Sequence, residues 1–139
     1  MDIVQRSLTT KRLWQTAEVF SRRLDNSLGA YHGIGLTEFM VLEALNSAPD
    51  QSMRRVDIAD ALSRTGSGIT RLLKPMEKTG LVEKDVNQRD ARVSLVKLTT
   101  AGAELYNNAA ATMDEKSAHL LRNLDATQCQ ELLDLLNTI

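Results

Sequence analysis

Residues 54–84 read RRVDIADALSRTGSGITRLLKPMEKTGLVEK, and the fold turns on how this stretch divides. The spacing predicts a short helix over residues 56–62, a turn at Ser63, Arg64, Thr65 and Gly66, and a second helix over residues 67–79 with Gly80 as its C-cap. Two short helices across a four-residue turn form a helix-turn-helix pattern. Successive helical residues turn by about 100°, which allows the second helix to be tested. With Ile69 set at zero, Leu72, Leu73 and Met76 fall within about 60° of it, while Ser67, Arg71, Lys74 and Lys78 gather roughly 140–200° away. One face is apolar and the opposite face is basic. Alone, such a stripe also fits a solvated charged surface; as the second helix of a helix-turn-helix, followed by a basic hairpin, it favours nucleic acid. Pro75 removes a backbone donor and predicts a bend, so the N-terminal half of this helix is the better candidate to enter a groove.

Downstream of Gly80 the period changes. Residues 81–85 and 93–98 are β-prone, and the polar, charged residues 86–92 between them suit a hairpin tip, here a wing. Thr99 or Thr100 then opens a long helix through Leu105, Ala109, Met113, Leu120 and Leu124, and Asp125 caps a last one carrying Leu132, Leu133, Leu136 and Ile139. Upstream, Leu13, Ala17, Phe20, Leu24, Leu28 and Tyr31 recur at spacings of three and four, predicting an amphipathic helix over residues 8–31. Gly29, Gly33 and Gly35 break it, and Thr37 is the expected N-cap of a helix over residues 38–47, closed by Pro49. The fold class is therefore mainly α with a small β-hairpin wing.

At 139 residues, with 42% apolar and 25% charged residues, the chain suits one globular domain and excludes a wholly disordered one. Aromatics are only 4%, so the core must be built from aliphatic side chains, as packed helices are. The longest apolar runs, such as residues 39–42, fall far short of the roughly 18 residues that span a bilayer, and no signal-type apolar core opens the chain. A soluble, cytoplasmic protein without membrane contact is expected. The net charge of −1 conceals a separation: residues 54–97 hold ten Lys and Arg against six Asp and Glu, and the remainder seven against twelve. The middle of the chain is its basic part.

Catalytic and metal chemistry find little support. Cys129 stands alone, which excludes an internal disulfide and a cysteine-based zinc cage, and Asp125, Glu131 and Asp134 around it disfavour a reactive thiolate. His32 and His119 lie far apart and in no metal-ligand spacing. The turn at Gly66, Ser67 and Gly68 is too short for a phosphate-binding loop, and no nucleophile elbow occurs. No catalytic residue, metal or cofactor is expected.

Three segments, GLTEFMVLEAL at residues 35–45, the stretch at 54–84, and NQRDARVSLVKLTTAG at 87–102, together resemble the winged-helix core of the MarR (multiple antibiotic resistance regulator) transcription factors. The run RDAR, followed by LVKLT and TAG, is the most specific part. The resemblance implies residues 1–34 and 100–139 as dimerisation helices around a DNA-binding winged helix-turn-helix domain at 35–99. It implies a homodimer on a pseudo-palindromic operator, repression as the family default, and often release by a small aromatic acid or an oxidant.

Carried over residue by residue, Ser67, Thr70 and Arg71 match the start of the family's recognition helix, which enters the major groove, with Lys74 and Lys78 on the same basic face. Arg92 matches the wing-tip arginine that enters the minor groove, Arg89 lies beside it, and Asp90 matches the aspartate that orders the wing. Arg54 and Arg55 are candidates for phosphate contacts or simply solvated basic residues. For an aromatic effector, Arg12, Trp14, Tyr31, His32 and Phe39 are candidate contacts, and the alternative is plain core packing with an exposed histidine at a helix end. Two other classes stay open: a winged-helix protein-protein interaction module that does not bind DNA, and a small metal-free enzyme using a carboxylate.

Overall fold

The computed structural model describes residues 3–86 and 94–139. Its helices are α1 (Ile3–His32), α2 (Leu36–Ser47), α3 (Arg55–Ala61), α4 (Gly66–Lys78), α5 (Thr100–Leu120) and α6 (Ala126–Leu136), and its strands β1 (Ser52–Arg54), β2 (Val82–Val86) and β3 (Ser94–Leu98). The strands form one antiparallel sheet in the order β1-β3-β2, with Met53 opposite Val96 and Lys84 opposite the same residue from the other side. The strand pair expected from the two β-prone segments is present as β2 and β3. β1 was not expected, because three residues with a single apolar side chain carry no period of their own, and β3 pairs with them from some forty positions away.

The core lies where α2, α3, α4, α5 and the sheet meet. Phe39, Leu42, Leu45, Ile58, Ile69, Leu73, Met76, Val82 and Val96 are all buried there. Phe39 stacks on Tyr106 of α5 with ring centroids 5.4 Å apart. Helix α1, about 45 Å long at the usual rise, touches this core only through its last turns, where Leu24 and Leu28 are buried. Its first half stands clear, with Leu8, Leu13 and Trp14 exposed.

Four helix starts differ from the sequence expectation: α1 begins at Ile3 and α3 at Arg55, ahead of the expected residues 8 and 56, and α2 and α4 are also displaced. Thr37 lies inside α2, whose N-cap is Gly35. The free donor at that end is met by Asp25 of α1, which accepts from the Leu36 N–H at 2.7 Å, a partner that no local pattern could announce. Helix α4 starts at Gly66 rather than Ser67, because Thr65 is its N-cap and accepts from the Gly68 N–H at 3.0 Å. At the other end α4 runs through Pro75 without interruption. It closes in a Schellman turn: Leu81 N–H bonds the Met76 carbonyl and Gly80, at φ +79°, bonds that of Glu77. Asp125 caps α6 as expected, accepting from the Gln128 N–H at 2.8 Å, whereas Leu124 falls beyond the end of α5.

Candidate nucleic-acid interface

Helices α3 and α4 are joined by residues 62–65. The Leu62 N–H bonds the Ile58 carbonyl at 3.0 Å, Ser63 turns into the left-handed region at φ 53°, and the Arg64 N–H returns to the Ala59 carbonyl at 2.9 Å. This closure sets α4 across α3. Ile69, Leu73 and Met76 then face the core, while Ser67, Arg71, Lys74 and Lys78 are exposed, in agreement with the angular arithmetic, and Thr70 beside them is exposed as well. The Thr65 cap leaves the N-terminal turn of α4 at the surface, where backbone N–H groups and the positive end of the helix dipole favour an anion. The surface so formed is cationic along one helix and short and polar at that helix's start.

Arg54 and Arg55 do not stand free. Arg54 donates from Nε and Nη2 to the Asp57 carboxylate at 3.0 and 3.1 Å. The hydrogen bond first, and the opposite charge second, raise the guanidinium pKa; the same bond draws Asp57 below its ordinary value. Arg55 is half-buried and donates from Nη2 to Glu77 Oε1 at 2.8 Å and from Nε to Ser94 Oγ at 3.1 Å. Asp57, three positions from Arg54, could have been found by its spacing; Glu77 and Ser94 could not. Arg89, Asp90 and Arg92 lie outside the described residues.

The residues considered for an aromatic effector do not converge within one subunit. Tyr31 and His32 are neighbours at the end of α1, their ring centroids 6.4 Å apart, and His32 Nε2 shares a hydrogen bond of 2.7 Å with Thr112 Oγ1 of α5. Phe39 is buried in the core. Trp14 lies about 25 Å of helix away from Tyr31 and is exposed. Arg12 instead borders an apolar groove of about 800 Å³ between α1, α5 and α6, lined by Leu8, Leu13, Phe20, Leu124, Leu132 and Leu136 among others. Among the described residues no group of three or more His, Cys, Asp or Glu side chains is placed to hold a metal ion. No described helix is long and apolar enough to cross a membrane.

A helix-turn-helix with a basic second helix, backed by a three-stranded sheet whose long strands form a hairpin, is a winged helix-turn-helix. The sequence model of the MarR family matches residues 32–93. The HTH-type transcriptional regulator MhqR of Bacillus subtilis is 30% identical over 106 residues, which cover 73% of this chain and 71% of MhqR. The chain belongs to the MarR family. PrsX of Escherichia coli, also an HTH-type transcriptional regulator, is 36% identical over 75 residues, and the chain spans 45% of its length. A mutant of Escherichia coli MarR complexed with operator DNA superposes with a TM-score of 0.84 at 27% identity, covering 99% of this chain and 98% of that one. A MarR family regulator from Streptomyces coelicolor in complex with DNA reaches 0.89 over 99% of this chain and 87% of its own, at 19% identity, a likeness of fold. These relatives are transcriptional regulators, not enzymes.

Proposed function

We propose that the chain is a sequence-specific, double-stranded DNA-binding transcriptional regulator, acting in the cytoplasm as a homodimer on a pseudo-palindromic operator and by default as a repressor. The observation that carries this reading is the exposed face of α4, where Ser67, Arg71, Lys74 and Lys78 lie opposite the buried Ile69, Leu73 and Met76, with Thr70 exposed on its flank. In the major groove Arg71 can donate to base edges, Ser67 and Thr70 can bond bases or phosphates, and Lys74 and Lys78 can neutralise phosphates. On this reading Arg92 is the residue for the minor groove, Arg89 is a secondary candidate beside it, and Asp90 orders the neighbouring arginines. Arg54 and Arg55 rank below these residues as phosphate contacts, since each already bonds a carboxylate.

Residues 1–34 and 100–139 form the dimerisation helices, and 35–99 the DNA-binding domain. The groove beside α6 and the exposed Leu132, Leu133, Leu135 and Leu136 support this division, because a monomer would leave them all in water. Release by a small aromatic anion would act at Tyr31 and His32, where α1 meets α5; Arg12, Trp14 and Phe39 lie elsewhere.

The test is selection of duplexes from a random-sequence library, followed by sequencing of what the protein retains. The expected pool converges on an inverted repeat with half-sites spaced by about one helical turn, 10–10.5 base pairs, or a multiple of it. A pool no different from the input would contradict the proposal and favour a protein-protein interaction module.

A further inference from the structure

Arg55 joins three elements with one side chain. It stands at the start of α3, its Nη2 donates to Glu77 in the last turn of α4, and its Nε donates to Ser94, the first residue of β3. The partners are 22 and 39 positions away in the chain. Building on the DNA-binding reading, we propose that Arg55 and Glu77 are positioning residues that hold α4 at a set angle to the wing strands, and thereby determine specificity without touching DNA.

Glu77 is otherwise hard to account for. An acid in the last turn of a helix opposes the helix dipole. On α4, whose exposed charged groups are Arg71, Lys74 and Lys78, it also repels the phosphates that the helix would attract. Both penalties are offset if its task is to anchor Arg55, and its side chain, 25% exposed, is turned from solvent towards that partner. An arginine suits this place because its planar fork sends donors in two fixed directions, whereas an ammonium is a point charge on a flexible stem. Arg54 is the contrast: its partner Asp57 is three positions away, so among the described residues its ion pair ties the end of β1 to the adjoining start of α3 and reaches no element distant in the chain.

The account makes a prediction of opposite sign to simple electrostatics. Glu77→Gln removes an anion from the DNA side of the domain, and if charge were all that mattered, binding would tighten on every duplex. A clamp predicts the reverse. The probes are a duplex retained from the random-sequence library by the wild-type chain and a scrambled duplex of the same composition, with binding titrated at several salt concentrations. Glu77→Gln and Arg55→Gln should each weaken the selected duplex by about tenfold, and the double variant should be little worse than either alone. The scrambled duplex and the salt slope should be nearly unchanged, so the ratio between the duplexes collapses, which a loss of stability alone would not do. Ser94→Ala, at an exposed position, should give a smaller loss of the same kind and keeps the test open if Arg55→Gln does not fold. Glu77→Gln binding the selected duplex as tightly as wild type or tighter, or Arg55→Gln losing affinity equally on both duplexes with a slope lower by about one ion, would overturn the clamp alone. A wild-type chain that retains no duplex would overturn the DNA-binding reading and the clamp together.

Discussion

Gly102 in the first turn of α5 lies directly against the backbone carbonyl of Leu81. A Cβ at this position would overlap that oxygen and press on the Leu98 side chain. Thr99 locks the same junction, its N–H bonding the Leu81 carbonyl at 3.2 Å and its hydroxyl donating to the Gly80 carbonyl at 2.6 Å while accepting from the Gly102 N–H at 3.0 Å. The long helix is thus seated on the turn that ends α4. Gly102→Ala should destabilise the fold by about 2–3 kcal/mol, since the obstacle is backbone that cannot rotate aside. Gly66→Ala, where the new methyl meets nothing within 4 Å, should be neutral or stabilising by about 0.5 kcal/mol. Chemical denaturation of both variants checks the contrast.

The turn between α3 and α4 contains a correctable cost. Ser63 holds φ 53°, a conformation that a side chain disfavours and glycine accepts. Ser63→Gly should raise stability by about 0.5–1 kcal/mol, net of the added freedom of the unfolded chain. An unfolding midpoint that stays put or falls would mean that the serine is held by something other than backbone geometry.

Tyr106 gives the fold an alkaline limit. Burial first, and then the charge and hydrogen bond of Glu43, whose Oε2 accepts from the phenol at 3.3 Å, push its pKa above the ordinary value of about 10. The folded state therefore holds this proton more tightly than the unfolded chain does. The associated stability is intact below pH 10 or so and is lost as pH rises through the folded-state value. Tyr106→Phe should flatten that alkaline decline while leaving the neutral range nearly unchanged, as followed by thermal unfolding between pH 8 and pH 11 or thereabouts.

How much of this was legible follows from the range of each interaction. The two faces of α4, the Asp125 cap and the hairpin are written in local spacing, and the structure has them where the periodicity places them. The Asp25 cap on α2, the short strand β1 and the attachment of Arg55 to Glu77 and Ser94 depend on partners eleven or more positions away. Arg55 illustrates the limit best. In sequence it is one basic residue in a basic segment, and only the fold brings the carboxylate that removes it from the surface charge. The effector residues are dispersed within one subunit for a related reason: aromatics counted together within two helices are spread along the length of α1 and into the core.

Assembly can be tested at the groove beside α6. Leu132→Asp with Leu136→Asp places two carboxylates in an apolar lining that a second subunit is proposed to cover. Light scattering coupled to size exclusion should find the wild type as a dimer and the double variant as a monomer or an aggregate. A folded double variant that stays dimeric would place the interface elsewhere.

The central claim is that the basic face of α4 reads DNA, and titration of Arg71→Ala and Lys78→Ala at several salt concentrations on a selected and a scrambled duplex tests it most directly. Arg71→Ala should cost about 1–3 kcal/mol on the selected duplex and relax discrimination at a few base positions. Lys78→Ala should weaken both duplexes alike and lower the salt slope by about one ion. Equal losses on both duplexes for both variants would reduce the surface to an attractor of phosphate, and unchanged binding in both would contradict α4 as the DNA-reading element.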